Sequence, residues 1–220
     1  MKTFAIFDLD GTLLNPLPDL SQACNHALEE MGFPTHSHSL YRSMIGNGTP
    51  KLIERALPED ARTQKIIDET HRKFTEYYDL HLTDETRIYN GVKELLEVMV
   101  KRDIKLAVAS NKYQSATSRL IDHFFPEFPW AVVMGHRNHI PHKPDPSIIF
   151  SILLECPTPK AEVIYIGDSG VDMETAYRAC VDSIGVTWGY RTRADLISGH
   201  AEYVVKEPVE ILDILNKYNL

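Results

Sequence analysis

The stretch FAIFDLDGT at residues 4–12 decides how the rest of the chain is interpreted. Its first four residues are apolar, as expected for a short strand that is covered on both faces of a parallel sheet. Two carboxylates, Asp8 and Asp10, follow at once, and the glycine after them is typical of a turn. In an open α/β sheet, ligands bind beyond the carboxyl ends of the strands, so this pair lies where a site is expected.

Similar apolar segments recur along the chain. The predicted strands are residues 4–7, 105–109, 131–134, 163–166, 183–186 and, more weakly, 203–205. Helical periodicity lies between them, at residues 92–101, 114–123, 146–154, 171–180 and 209–218. Strands that alternate with helices in this way predict an α/β fold with a doubly wound parallel sheet.

One region lacks the alternation. Residues 17–82 contain no convincing strand, but they contain four helical patterns, at residues 20–31, 40–45, 51–57 and 62–78, separated by proline and glycine. We therefore predict a helical domain at residues 17–85, inserted into an α/β core made of residues 1–16 and 86–220.

The composition limits the classes of function. The 220 residues are 43% apolar with a net charge of −8, which fits a globular protein and weighs against nucleic-acid binding. No apolar run approaches the ~20 residues needed to cross a bilayer, so we expect no membrane association. The three cysteines show no paired spacing and are expected to be reduced thiols. We expect a cytoplasmic protein that is a monomer or homodimer.

Polar residues follow two further predicted strands. Ser110 and Asn111 follow the strand at 105–109, and Asp168 follows the strand at 163–166. Lys143 lies in a loop that leads into a helix. Each residue taken singly could be a turn, helix-cap or surface residue. Because parallel strands end at one rim of the sheet, the combination indicates a site.

This set of residue types suits phosphoryl transfer. Asp8, Asp168 and Asp172 offer hard oxygen ligands suited to Mg²⁺, and without a cation they would repel one another. Asp8 is the candidate nucleophile, and Asp10 is placed to protonate the leaving oxygen and later to activate water. The serine, asparagine and lysine named above would supply donors and positive charge to the transferring group.

Four motifs lie in the order and spacing of the haloacid dehalogenase superfamily, which the chain resembles over nearly its full length. The matching segments are residues 8–13, 110–112, 143–146, and 167–169 with Asp172. Within the superfamily, the chain is most similar to the phosphoglycolate phosphatase-like group, on features at residues 45–48, 90–92 and 184–191. It departs from the pattern at Val171, where a polar residue is frequent, and at Cys180, where many relatives have glycine.

The resemblance implies a role for each matching residue. The catalytic residues would be Asp8, Asp10 and Lys143. The Mg²⁺ ligands would be Asp8, the backbone carbonyl of Asp10, and Asp168. Asp172 would contact the metal through water or hold the ligands in position. The residues that contact phosphate would be Thr12, Ser110 and Asn111.

The inserted helices match the helical cap of this superfamily, which closes over the core and recognises the leaving group. Asn47 and Gly48 are candidate substrate-binding residues, although this segment could equally be a turn between two helices. Arg42, just before them, is a candidate partner for a substrate carboxylate or phosphate.

We therefore expect Mg²⁺-dependent hydrolysis of a small phosphorylated metabolite, with phosphoglycolate as the first substrate to test. The second aspartate, Asp10, disfavours the dehalogenase branch and the phosphonate-hydrolysing relatives, which lack it. A phosphomutase of the β-phosphoglucomutase type and a pyrophosphatase remain alternatives. A non-catalytic phosphate- or partner-binding module is disfavoured because no proposed catalytic position is missing.

Overall fold

A computed structural model describes residues 1–46, 48–138 and 140–218 of the chain. Its strands are β1 (Phe4–Phe7), β2 (Leu14–Asn15), β3 (Arg87–Ile88), β4 (Lys105–Tyr113), β5 (Trp130–His136), β6 (Val163–Gly167), β7 (Asp182–Val186) and β8 (Tyr203–Val205). Its α-helices are α1 (Leu17–Glu30), α2 (His38–Met44), α3 (Thr49–Ala56), α4 (Gln64–His81), α5 (Val92–Lys101), α6 (Gln114–Phe124), α7 (Ser147–Glu155), α8 (Gly170–Ala179), α9 (Arg193–Ser198) and α10 (Val209–Lys217). The chain divides into one compact unit of Met1–Asn15 with Ile88–Leu220 and a second of Pro16–Arg87.

The first unit is organised by a six-stranded sheet in the order β5-β4-β1-β6-β7-β8. All five strand pairs are parallel, and β1 lies between β4 and β6. Every residue of β1 and β6 is buried, which explains why these strands are apolar throughout rather than alternating. The predicted doubly wound α/β fold is confirmed.

Helices α7 and α8 cover the sheet with apolar side chains. Ile149 of α7 and Met173 of α8 belong to one buried cluster with Ile6 of β1 and Tyr165 of β6. At their carboxyl ends, β1 and β6 are followed by Asp8 and Asp168. The packed helices therefore fix the strands from which these carboxylates project.

The structure differs from the sequence prediction at the second strand. Residues 105–109 were predicted as the strand, but β4 continues to Tyr113, so Ser110 and Asn111 lie within it rather than after it. The extension pairs with β5 through a register shift, since Tyr113 lies opposite His136. Such a bulge depends on the neighbouring strand and has no local sequence signal.

The backbone at the end of α8 explains why glycine is frequent in relatives at the position that Cys180 occupies in this chain. Cys180 follows the helix with φ 57° and ψ 47°, the left-handed conformation in which glycine is usually favoured. The thiol is free and exposed.

The second unit is helical. In it, α1 packs against α4 and α2, and α3 packs against α4. The two ends of this unit are joined by a buried carboxylate, because Asp19 in the first turn of α1 accepts hydrogen bonds from the backbone N–H of Glu85 (2.8 Å) and of Thr86 (2.8 Å) and from the Thr86 hydroxyl (2.7 Å). Across the residues that the structure describes, no helix combines the length and apolar character needed to span a membrane.

The Asp19 contacts lead to a stability prediction. Replacing Asp19 with alanine leaves the buried N–H and hydroxyl of Thr86 and the partly buried N–H of Glu85 without their acceptor, so we expect D19A to lower the free energy of unfolding by about 3 kcal/mol. Urea unfolding of the purified protein measures this. The control is D84A, which removes an exposed carboxylate paired with His81 and should change the free energy by less than about 1 kcal/mol. Equal effects of the two substitutions would contradict the assigned role of Asp19.

Candidate active site

The ammonium group of Lys143 lies at the centre of the candidate site. Its Nζ is 2.8 Å from Oδ1 of Asp8 and 2.6 Å from Oδ1 of Asp172, and it donates to the carbonyl of Ala109 at 3.0 Å. The side chain is 3% exposed. A lysine that is buried to this degree is stable only when paired, and the two carboxylates provide that pairing.

Asp8 reaches this position because it directly follows β1. Its backbone N–H still donates to the carbonyl of Ile166 on β6, at 2.8 Å. The chain then turns tightly, with Gly11 at φ 93°. A Cβ at Gly11 would lie 2.4 Å from Oδ2 of Asp168, so the turn requires glycine both for its backbone conformation and for the close approach of that carboxylate.

Three buried carboxylates crowd together beside Lys143. Asp8, Asp168 and Asp172 each offer an oxygen, and these oxygens lie within 4.8 Å of one another. Burial and the neighbouring charge of Asp172 raise the pKa of Asp8 from 3.8 to about 7, although Lys143 opposes the shift. Burial, Asp172 and Asp8 likewise raise the pKa of Asp168. Burial alone would lower the pKa of Lys143, but Asp172 and Asp8 raise it well above its usual range.

The donor chemistry of this cluster fits a divalent metal ion. Burial raises the pKa of Asp8 and Asp168, and the mutual repulsion of the three aspartates adds to the shift because one lysine carries a single positive charge. Carboxylate oxygens are the ligands that Mg²⁺ prefers, and a bound cation would favour the ionised form of both groups. Asp8 and Asp168 are the side chains placed to hold it.

Asp172 makes a different set of contacts from the other two. Its Oδ1 accepts from Lys143, and its Oδ2 accepts from the backbone N–H (3.1 Å) and hydroxyl (2.5 Å) of Ser169. Ser169 in return accepts from the Asp172 N–H, so the two residues form a capping box at the start of α8. Protein donors therefore engage both oxygens, and Asp172 holds Lys143 and the start of the helix; its predicted part in metal binding stays a prediction.

Tyr165 is a residue of this site that sequence reasoning missed. Its hydroxyl lies 3.1 Å from Nζ of Lys143 and 3.2 Å from both Oδ1 of Asp172 and the carbonyl of Ala109. The side chain is fully buried, and burial raises its pKa well above the usual range. In the sequence, Tyr165 is one apolar-type residue within a strand, and only its position two residues before the fourth motif could have suggested a role.

The loop after β7 orients the carboxylate of Asp168. The backbone N–H of Tyr190 donates to Oδ2 of Asp168 at 2.7 Å. A Cβ at Gly189 would lie 2.3 Å from the carbonyl of Gly11 and 2.4 Å from Asp168, so only glycine lets this loop approach. Trp188 Nε1 donates to the carbonyl of Thr12 at 3.0 Å, which ties the same loop to the turn after β1.

The predicted phosphate contacts lie on the same rim. Ser110 is buried, and its hydroxyl accepts from the N–H of Lys112 at 3.2 Å. Asn111 exchanges two hydrogen bonds with the backbone of Lys143, donating to its carbonyl (3.2 Å) and accepting from its N–H (2.8 Å), so it joins the second and third motifs. The buried Thr12 hydroxyl has no hydrogen-bond partner in the described part of the chain. Their contact with phosphate stays a prediction.

Asp10 lies outside the carboxylate cluster. Its Oδ2 forms an ion pair of 2.9 Å with Nζ of Lys112, and its side chain is 18% exposed. The predicted metal contact of Asp10 uses its backbone carbonyl, so this ion pair does not conflict with it. The role of its side chain in proton transfer stays a prediction.

The predicted substrate contacts of the helical unit are described less fully. Arg42 is exposed in the last turn of α2, and Gly48, with φ 85°, precedes α3. Asn47 lies outside the described residues. The substrate roles of all three stay predictions.

Comparison with known proteins agrees with this geometry. The model of the family described as haloacid dehalogenase-like hydrolase matches residues 5–186. The chain belongs to this family. The predicted membership is confirmed, and the residues of all four motifs, from Asp8 to Asp172, lie within the matched range.

Three individual relatives illustrate the likeness. The chain is 33% identical over 220 residues to a phosphoglycolate phosphatase of Haemophilus influenzae (strain 86-028NP), covering 95% of this chain and 96% of that protein. It is 30% identical over 215 residues to a phosphoglycolate phosphatase of Pasteurella multocida, with coverage of 95% and 96%. A crystal structure of a predicted phosphoglycolate phosphatase from Haemophilus somnus superimposes with a TM-score of 0.88 at 27% identity, covering 97% of this chain and 98% of that one.

The raised pKa of Asp8 predicts how Mg²⁺ binding depends on pH. Below about pH 7 the Asp8 carboxyl is protonated in the metal-free protein, so Mg²⁺ must displace a proton; above pH 7 it need not. We expect binding at least about tenfold weaker at pH 6 than at pH 8, measured by titration calorimetry, because the raised pKa of Asp168 can only add to the effect of Asp8. The same shift makes the metal-free fold less stable as pH rises from 3.8 to about 7, because the unfolded chain releases its proton first.

Two variants test whether the pH dependence of Mg²⁺ binding arises from the carboxylate cluster. D168N should bind Mg²⁺ weakly at both pH values, because it removes an oxygen ligand. D122N, at an exposed position on α6, should behave as the unmodified protein does. An affinity that does not change between pH 6 and pH 8 would count against the cluster as the metal site.

Proposed function

We propose that this chain is a Mg²⁺-dependent phosphatase that hydrolyses a small phosphomonoester through an aspartyl-phosphate on Asp8. The observation that carries the proposal is the position of the Asp8 carboxylate, which directly follows β1, is paired with the Lys143 ammonium and lies within 4.8 Å of a carboxylate oxygen of Asp168. A nucleophile that lies close to a fixed cation and to a second oxygen ligand for a metal is suited to attack an anionic phosphorus centre.

In the first step, an oxygen of Asp8 attacks phosphorus and the bond from phosphorus to the ester oxygen breaks. Asp10, two residues along the turn, gives a proton to the departing oxygen, which leaves as an alcohol. Lys143 stabilises the negative charge that gathers on the transferring group and favours the ionised form of Asp8. The hydroxyls of Thr12 and Ser110 are the proposed donors to the phosphoryl oxygens.

In the second step, water attacks phosphorus of the aspartyl-phosphate and the bond between phosphorus and Asp8 breaks. Asp10, now ionised, takes the proton from this water, and inorganic phosphate is released with both aspartates restored. Asp172 takes no proton in either step; its part is to hold Lys143 beside Asp8.

Mg²⁺ would be held by the carboxylates of Asp8 and Asp168 and the backbone carbonyl of Asp10. When bound, it neutralises the charge between the nucleophile and the phosphate oxygens and so allows the two anions to approach. The tight turn at Gly11 and the N–H of Tyr190 preserve the orientation of Asp168 for this role.

Phosphoglycolate is the substrate we propose first, with support from the relatives named phosphoglycolate phosphatase. Its second anionic group, a carboxylate, calls for a further cation or N–H donor, and we propose Arg42 with the segment around Gly48 for this part. A small metabolite, rather than a nucleic acid, fits the chain's net charge of −8.

The nucleophile is tested by D8N. Asparagine has nearly the same size, but its amide cannot attack phosphorus as a carboxylate can, so we expect phosphate release from any phosphomonoester to fall by at least about a thousandfold. Because ionised Asp8 is unfavourable in the metal-free fold, D8N should not lower the melting temperature at pH 8. The matched control is D122N, which should retain full activity. A folded D8N protein that keeps its rate would overturn the assignment.

The substrate is tested by a phosphate-release screen in Mg²⁺. The panel contains phosphoglycolate, sugar phosphates, nucleotides and pyrophosphate, and the expected result is the highest kcat/KM with phosphoglycolate. Isomerisation of a sugar phosphate without phosphate release would favour the phosphomutase instead, and preference for pyrophosphate would favour the pyrophosphatase. Absence of phosphate release from every compound would overturn the proposed phosphatase activity.

A further inference from the structure

Lys112 is a buried lysine next to the candidate site that the reaction described above does not use. Its side chain is 1% exposed, and its Nζ lies 2.9 Å from Oδ2 of Asp10. Placing an ammonium group in the interior is unfavourable unless it is paired, so the location of this lysine requires a reason. The carboxylate with which it pairs is the proposed general acid and base.

The two oxygens of Asp10 differ in their surroundings. Lys112 engages Oδ2, whereas Oδ1 is buried and has no hydrogen-bond partner among the residues the structure describes. A buried carboxylate oxygen without a partner is costly in a folded protein, and a catalytic role is one reason for such an oxygen to persist. The ion pair therefore divides the carboxyl group into a fixed oxygen and an available one.

The backbone around Lys112 is itself fixed. Its N–H donates to the Ser110 hydroxyl at 3.2 Å, and its carbonyl accepts from the Thr117 hydroxyl at 3.2 Å. Strand β5 also approaches closely, since a Cβ at Gly135 would lie 2.7 Å from the Lys112 carbonyl. The ammonium group therefore extends from a rigid base, as a residue that orients a catalytic group must.

We propose that Lys112 is a positioning residue that holds the Asp10 carboxyl group by Oδ2, so that Oδ1 carries the proton given to the leaving oxygen. This inference rests on the proposed phosphatase activity. A proton on Oδ1 lies away from the ammonium group, whereas a proton on Oδ2 would face it. Removing Lys112 leaves Asp10 in place but lets its carboxyl group rotate away from the leaving oxygen.

This role predicts a dependence on the leaving group. An alkyl phosphate such as phosphoglycolate releases a strongly basic oxygen that needs a proton, whereas 4-nitrophenyl phosphate releases a stable phenolate that does not. The parameter kcat/KM covers the steps up to departure of this group. For K112M we expect the ratio of kcat/KM for the alkyl ester to that for the aryl ester to fall at least about tenfold. K112R, which keeps the charge, should restore most of the ratio.

The matched control is K2M. Lys2 is also buried and paired with a carboxylate, that of Asp182. It lies before the first residue of β1, whereas Asp8 follows the last residue of that strand. K2M should lower stability and leave the ratio of the two esters unchanged. An equal loss on both esters in K112M, or an unchanged ratio, would overturn the inference. A wild-type protein inactive on both esters would overturn the phosphatase proposal and this inference with it.

If K112M does not fold, a double-mutant cycle still tests whether Lys112 acts through Asp10. D10N removes the group on which Lys112 is proposed to act, so D10N and D10N/K112M should have the same kcat/KM for the alkyl ester. The double variant removes both charges of the buried pair and leaves neither ion unpaired. A further loss of tenfold or more in the double variant would show that Lys112 acts other than through Asp10 and would overturn the proposal.

Discussion

The shared ammonium group of Lys143 is the contact on which the candidate site depends. It joins a loop residue to Asp8 after β1 and to Asp172 in the first turn of α8. Each partner alone would be a buried charge, and a buried charge without a counterion is strongly destabilising. Paired with one another, Lys143, Asp8 and Asp172 can be buried. With Asp168 they form a cluster of net negative charge at the rim of the sheet, which a divalent cation would neutralise.

Much of the fold could be predicted because the sheet is buried on both faces. Strands β1 and β8 have the predicted bounds, and the alternation with helices identified the parallel sheet. What escaped prediction depends on contacts made after folding. The continuation of β4 to Tyr113 depends on its bulged pairing with β5, and the six-residue helix α9 has too few turns to show a periodicity. Strands β2 and β3 have only two residues each.

The site was predictable where chemistry follows directly from a strand end, as at Asp8 and Asp168. It was not predictable where a residue acts across the fold. Tyr165 looks like an ordinary strand residue, and the donor to Asp168 is a backbone N–H, which any residue except proline would supply at position 190. Asn111 and Asp172 lie beside Lys143, and their hydrogen bonds to the protein are supporting contacts that residue type alone could not reveal.

The position of the helical insertion has a consequence for how such a chain can change over time. The insertion leaves after β2 and returns at β3, and these short strands pair in a sheet of their own. The six-stranded sheet and the carboxylate cluster are built wholly from residues outside Pro16–Arg87. Lengthening, shortening or exchanging the inserted segment therefore alters no strand register in the core. Mutations in this segment leave the residues of the carboxylate cluster unchanged, so the choice of substrate, which we propose for the segment, can be selected separately from the chemistry of phosphoryl transfer.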